Sequence, residues 1–184
     1  MRNTEKRKKI SIGVEDFKTL IDWNGYFVDK TLMIQELLES NAKVILFTRP
    51  RRFGKTLNQF MIRRFFEDEI TEKGEKVDNG YLFDGLAITR CGEEIMQHQQ
   101  RYPVIFMSLK SAKQDSYDMA YASLIDEISK EFKRHAYLLQ GESLSPKEKQ
   151  EFQLVMDKEA QPIAYAKALG FLSECLTKYH GHKT

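Results

Sequence analysis

The residues best suited to chemistry lie in one short stretch, Arg49-Pro50-Arg51-Arg52-Phe53-Gly54-Lys55-Thr56-Leu57. A basic turn closed by Gly-Lys-Thr is the signature of a phosphate-binding loop. The N–H groups of such a loop, and of the helical turn that follows, have no intrahelical acceptor and point where a phosphate chain can sit. Gly54 lets the main chain come close to that anion. The Lys55 ammonium can reach the terminal phosphates and serve as the catalytic cation, and the Thr56 hydroxyl can hold a magnesium ion that also takes phosphate oxygens. The stretch therefore reads as a binding site for a nucleoside triphosphate with magnesium.

This chemistry needs a strand before the turn and a helix after it. Val44-Ile45-Leu46-Phe47-Thr48 is too short for a helix and rich in β-formers, which fits the strand. Lys55 to about Asp68 fits the helix, with Leu57, Phe60, Met61, Arg64 and Phe65 on roughly one face. The first glycine of the general pattern G-x-x-x-x-G-K-[ST] falls on Arg49. Read without its context, Gly-Lys-Thr is only a helix start with a lysine in its first turn.

Three stretches together resemble one family. Ile12-Gly13-Val14-Glu15-Asp16-Phe17, Tyr26-Phe27-Val28-Asp29-Lys30-Thr31 and Thr48 to Thr56 look like the opening of the bacterial AAA-ATPase-like family, and Tyr102-Pro103-Val104-Ile105-Phe106-Met107-Ser108 resembles its next core strand. The resemblance implies an α/β, three-layer P-loop NTPase fold, an arginine as the usual residue at position 49, and a restriction-nuclease-like domain downstream in many members. It also implies that the strand bearing the acidic magnesium motif begins about where this sequence stops. The expectation is a basic tail over 1–11, then the amino-terminal portion of a P-loop ATPase domain over 12–184, with an incomplete sheet. Edges left unpaired in such a sheet could drive oligomerisation.

Composition sets the bounds. With 184 residues, 41% hydrophobic and 30% charged, the chain has room for a real core. Charge is uneven: residues 1–66 carry 14 basic and 7 acidic side chains, leaving 15 and 20 for the rest, so anion affinity belongs to the first third. Two cysteines far apart and no secretory leader fit a reducing cytoplasm with free thiols. No run approaches the roughly 18 apolar residues of a membrane span.

The remaining elements follow from pattern. Tyr26-Phe27-Val28 reads as a short strand after the Asn24-Gly25 turn, and Asp29-Lys30-Thr31 as a charged turn capping a helix that carries Leu32, Met33, Leu37 and Leu38 and ends at Ser40-Asn41. The trio also invites a nucleotide-contact reading. Thr71 to Gly80 is polar and loops out, and Tyr81 to Ile88 returns apolar side chains in a short turn. Val104 to Leu109 reads as a second strand. A helix from about Tyr117 to Leu138 buries Met119, Ala122, Ile125, Ile128, Ser129 and Phe132. Ser145-Pro146-Lys147-Glu148 is a capping box that opens a helix to about Asp157. Pro162 opens the last helix, with Ile163, Ala166, Leu169, Phe171, Leu172 and Leu176 as its apolar stripe and a stop near Gly181. His135, near a helix end, reads as structural. His98, His180 and His182 lack partners at metal-ligand spacing.

Three functions stay open at this point. An ATPase would use Lys55 and Thr56, and the chain alone would bind without efficient turnover, since no acidic magnesium residue or general base is identifiable. A nucleic-acid or protein interaction module would use Arg49, Arg51, Arg52, Arg63 and Arg64 as a basic surface, with Gly-Lys-Thr incidental. A third protein would hold nucleotide as a structural element.

Overall fold

The computed structural model describes residues 8–40, 42–50 and 52–181. Asn41, Arg51, His182 and the tail up to Arg7 lie outside the described residues. Seven α-helices run in chain order among them: α1 (Phe17–Asp22), α2 (Leu32–Glu39), α3 (Lys55–Phe66), α4 (Glu93–Met96), α5 (Tyr117–Arg134), α6 (Pro146–Met156) and α7 (Pro162–His180). They fall into two compact units. One holds the chain up to Glu67 together with Asp78–Arg101, and the other holds Asp68–Val77 with Tyr102 onward.

The expected α/β three-layer fold is not what forms. Among the described residues there is no sheet, and isolated bridges join Lys9 with Gly25 and Ile70 with Lys76. The three expected strands, Tyr26–Val28, Val44–Thr48 and Val104–Leu109, have no ladder of their own. The reason is physical. A helix closes its hydrogen bonds inside one segment, whereas a strand leaves every N–H and C=O to a neighbour. Val44 and Leu46 are 86% and 83% exposed, with no neighbouring strand to cover them. The 104–109 segment is instead tied down by side chains: the Phe106 N–H donates to Glu131 Oε1 at 2.7 Å, and the Val104 carbonyl accepts from Arg134.

In the first unit, Asp16 caps α1 by accepting from the Thr19 N–H at 2.8 Å. The core is aromatic: Phe17 and Phe65 each lie 5.3 Å from Phe83, ring centre to ring centre, and all three are fully buried. α3 contributes Met61 and Phe65 to this core, with Leu57 and Phe60 packed at its edge, which is the face its periodicity predicts. Tyr81 to Ile88 forms two short 3-10 turns, Gly80–Phe83 and Ala87–Arg90, and buries Leu82, Phe83 and Ile88.

In the second unit, α5, α6 and α7 enclose Phe132, Phe152, Leu172 and Leu176. The capping box on α6 is formed in full, Ser145 and Glu148 satisfying each other's main-chain N–H. Two apolar stripes differ from expectation. Met119 and Ala122 are exposed, so α5 is buried only over its second half. On α7 the buried set is Tyr165, Ala168, Leu172, Cys175 and Leu176, leaving Ile163 and Leu169 outside. α7 is apolar on several faces, so periodicity alone leaves its rotation open. Within Thr71 to Gly80, expected as a loop, the chain reverses tightly, with the Thr71 N–H on the Glu75 carbonyl and the Val77 N–H on the Glu69 carbonyl.

A buried polar chain runs through this second unit. His135 Nε2 lies 3.4 Å from Glu131 Oε1, His135 Nδ1 lies 3.4 Å from the Tyr137 hydroxyl, and that hydroxyl is 2.9 Å from His180 Nε2. Burial pushes the Glu131 carboxyl up, but bonds from His135, Arg134 and the Phe106 N–H, with the charge of Arg134, bring it down to about 2. Cys91 and Cys175 are free thiols, and burial raises the latter to about 12. Among the described residues no helix is long and apolar enough to cross a membrane.

Candidate functional site

The turn that ends at α3 combines two left-handed residues, Arg52 at φ 69° and Gly54 at φ 72°. For Gly54 this costs little, and it brings the chain into the helix with no side-chain cap. A Cβ placed on Gly54 would meet no protein atom within 4 Å, so backbone conformation, not packing, is what favours glycine there. The Asn58 N–H reaches back to the Gly54 carbonyl at 2.9 Å. The N–H groups of Lys55, Thr56 and Leu57 thus lie in the first turn, where the helix itself supplies no acceptor. A twelve-residue helix directs the positive end of its dipole at the same spot.

Lys55 folds over this turn. Its ammonium donates to the Arg49 carbonyl at 2.5 Å and to the Pro50 carbonyl at 3.1 Å, closing the loop from its first residues to its last. Thr56 is half-buried in the first helical turn, and Leu57 is half-buried with its side chain against the unit's core. Arg52 and Phe53 are exposed, and Arg51 lies outside the described residues.

Beside the turn is a cavity of about 270 Å³, and Arg49, Phe53 and Lys55 line it. Of its other walls, Lys30 belongs to the trio for which the sequence offers a nucleotide-contact reading, and the rest carry no such signal. α3 supplies Asn58, Gln59 and Ile62, which with Lys55 occupy positions i, i+3, i+4 and i+7, one helical face. That spacing was legible, but a polar face on a helix reads first as a solvated one. From the preceding segments come Lys30, Met33, Glu36 and Phe47. Among the described residues, three cations and one carboxylate line the space, which suits an anionic ligand.

Lys30 is positioned by its two neighbours. Asp29 Oδ1 accepts from the Thr31 N–H at 2.9 Å and from the Thr31 hydroxyl at 2.6 Å, and Asp29 Oδ2 accepts from the Ala87 N–H at 2.7 Å. The fully buried Thr31 hydroxyl accepts from the Ile88 N–H at 3.1 Å. Burial pushes Asp29 up, yet the bonds from Thr31 and Ala87 and the charge of Arg90 leave it below the ordinary carboxylate range. The Thr31 side chain makes no cap bond to α2; the trio instead fastens the start of α2 to the 3-10 turn at Ala87–Arg90 and leaves Lys30 at the cavity.

Arg63 and Arg64, candidates for a basic surface, are engaged elsewhere. Arg63 pairs with the buried Glu67 at 2.7 Å, and Arg64 faces Asp16 at 3.6 Å. Among the described residues, that leaves the cationic character around the turn to Lys30, Arg49, Arg52 and Lys55.

An uncharacterised protein in the vnfD 5' region of Azotobacter chroococcum mcd 1 is 33% identical over 103 residues, 55% of this chain and 17% of that relative, so the chain spans under a fifth of its length. No solved structure matches. The family described as Predicted AAA-ATPase matches residues 11–166, a span that contains the turn, the cavity and the Asp29-Lys30-Thr31 clamp. The chain belongs to this AAA-ATPase-like family.

Proposed function

We propose that this chain binds ATP as its magnesium complex through the turn from Arg49 to Leu57, as the nucleotide-binding portion of an AAA-ATPase-like protein. The observation that carries the reading is the Lys55 ammonium held over an uncapped helix start by two loop carbonyls. A phosphate oxygen is a stronger partner for an ammonium than a neutral carbonyl, because the bond is between two charges. The triphosphate therefore takes over Lys55, while the first N–H groups of α3 turn to the phosphate oxygens. Arg49 and Arg52 add charge at the mouth.

The magnesium ion arrives with the nucleotide. One protein hydroxyl, that of Thr56, fits its preference for oxygen ligands shared with phosphate and water. When bound, the ion neutralises charge on the phosphate chain. In a hydrolysing parent protein Lys55 would stabilise charge at the transferred phosphoryl group. Turnover also needs an acidic metal partner and a group that orients water; neither role is assigned to a residue here, so for this chain the proposal is binding.

Calorimetric titration with ATP and magnesium tests the proposal on the wild-type protein and on Lys55→Ala. A charge-assisted bond is worth about 1.5–3 kcal/mol, so the variant should bind roughly 10- to 160-fold more weakly. Equal affinity would reject the site. An unchanged circular dichroism spectrum shows that the variant is folded, as expected for a side chain outside the core.

A further inference from the structure

We propose that the buried chain His135–Tyr137–His180 in the second unit holds one added proton, on His180, and that this proton latches the end of α7 to the 68–77 reversal. The latch uses no residue of the nucleotide turn.

A count of hydrogens calls for the proton. Tyr137, in the 3-10 turn Ala136–Leu139, has one hydroxyl hydrogen and lies between two ring nitrogens, 3.4 Å from His135 Nδ1 and 2.9 Å from His180 Nε2. It donates to one and accepts from the other. The outer nitrogens face carboxylates: His135 Nε2 lies 3.4 Å from Glu131, and His180 Nδ1 lies 4.0 Å from Asp68, at ion-pair range. An ionised carboxylate can only accept, so each outer nitrogen also needs a hydrogen. The four positions along the chain therefore want four hydrogens, whereas two neutral imidazoles and a phenol supply three. The fourth makes one ring an imidazolium.

Charge decides which ring. Both rings lie at the C-terminal end of a long helix, where the dipole favours a cation, and their side chains are 4% and 5% exposed. On the α5 side, Glu131 already answers Arg134 and the Phe106 N–H, and the guanidinium repels a second cation. On the other side, Asp68 faces Lys76 at 2.7 Å, but that ammonium is 58% exposed and water screens it. Tyr179 of α7 closes the chain with rings 5.2 Å from Tyr137 and 5.0 Å from His180. The proton therefore sits on His180 Nδ1, toward Asp68. His180 Nε2 donates to the Tyr137 oxygen, and the Tyr137 hydroxyl donates to a neutral His135.

Nitrogen-15 NMR of the wild-type imidazoles reads this directly, because a neutral ring has two unlike nitrogens and a charged ring two alike. At pH 7 His180 should be charged and His135 neutral with its hydrogen on Nε2; Asp68→Asn should leave His180 neutral. An unfolded histidine loses its proton near pH 6.5. The stabilisation from a held proton is complete below about that pH and is lost as pH rises through the folded protein's own titration. The wild-type folding constant should thus fall by up to about tenfold per pH unit above ~6.5, and this slope should be absent in His180→Gln. Over the same range the Thr71 and Val77 amides, which close the reversal, should lose exchange protection in the wild type alone. Two neutral rings at pH 7, or a charged His135 beside a neutral His180, would overturn the assignment. A His180→Gln protein that keeps the wild-type slope would do the same, and unchanged protection at Thr71 and Val77 would overturn the latch. Should either variant fail to fold, the wild-type ring spectra decide alone.

Discussion

Glu131 is the residue on which the second unit's polar interior depends, and Glu131→Gln should cost it about 3 kcal/mol at neutral pH. The carboxylate accepts from the Phe106 N–H at 2.7 Å, pairs with Arg134 and lies 3.4 Å from His135 Nε2, in a side chain only 5% exposed. Glutamine keeps the shape and can still accept from Phe106. It gives up the charge and turns an NH2 group toward donors, leaving the part-buried Arg134 guanidinium without its counter-ion. The magnitude follows from linkage. A fall from the ordinary 4.5 to about 2 is worth about 3 kcal/mol at ~1.36 kcal/mol per pH unit. The sign is that of a depressed carboxylate: the stabilisation is complete above the unfolded value of 4.5 and is lost as pH falls through the folded value of about 2. The difference between wild type and variant should therefore shrink to about 1.4 kcal/mol at pH 3 and under about 0.5 kcal/mol at pH 2. Urea unfolding followed by circular dichroism at pH 7, 3 and 2 measures it. The same midpoint for both proteins at pH 7, or a gap that stays constant down to pH 2, would refute the reasoning.

Two further substitutions probe the first unit. Thr31→Val keeps the volume but leaves the Ile88 N–H without a partner at a fully buried position and takes one of two donors from Asp29 Oδ1, so thermal unfolding should report a loss of about 1–3 kcal/mol. Gly54→Ala meets no clash, so its cost is that of a left-handed backbone alone, about 1–2 kcal/mol; calorimetry should show weaker ATP binding with an unchanged far-ultraviolet spectrum, and full wild-type affinity would argue that Gly54 has no special role.

How much of this was legible in the sequence depends on how far apart the interacting groups lie. α3, α5, α6 and α7 were readable because their signals are local: a period of 3.6, a capping box at Ser145, prolines at the first helical positions. The strands were not, because Val44–Thr48 carries a strand's composition and nothing in its own residues can supply the pairing a strand requires. α1 was missed since six residues are too few to show a period, although Asp16 with Thr19 three positions on is a recognisable cap. Gly54, Lys55 and Thr56 were identifiable as one contiguous motif. Lys30 was open to two readings, cap or nucleotide contact, and Glu36 carried no signal, because what places them at one cavity is contact between segments, including the clamp from Asp29 and Thr31 to residues 87 and 88, nearly sixty positions away.

That difference in range divides the site into parts with unlike structural demands. The phosphate end consists of neighbours in sequence: a left-handed glycine, a helix start and a lysine that folds back six residues onto a carbonyl. None of these contacts calls on a sheet, which is why the turn can be formed where the expected strand before it has no ladder. The cavity beside it is assembled from α2 with Lys30, the 47–53 segment and one face of α3, held by buried hydrogen bonds and by aromatic packing around Phe17, Phe65 and Phe83. Its geometry is only as good as that core, because Lys30 has no rigid element of its own and depends on Thr31 staying buried. On the proposed reading, phosphate binding would therefore rest on a few adjacent residues, whereas the shape of the cavity beside them rests on the folded unit.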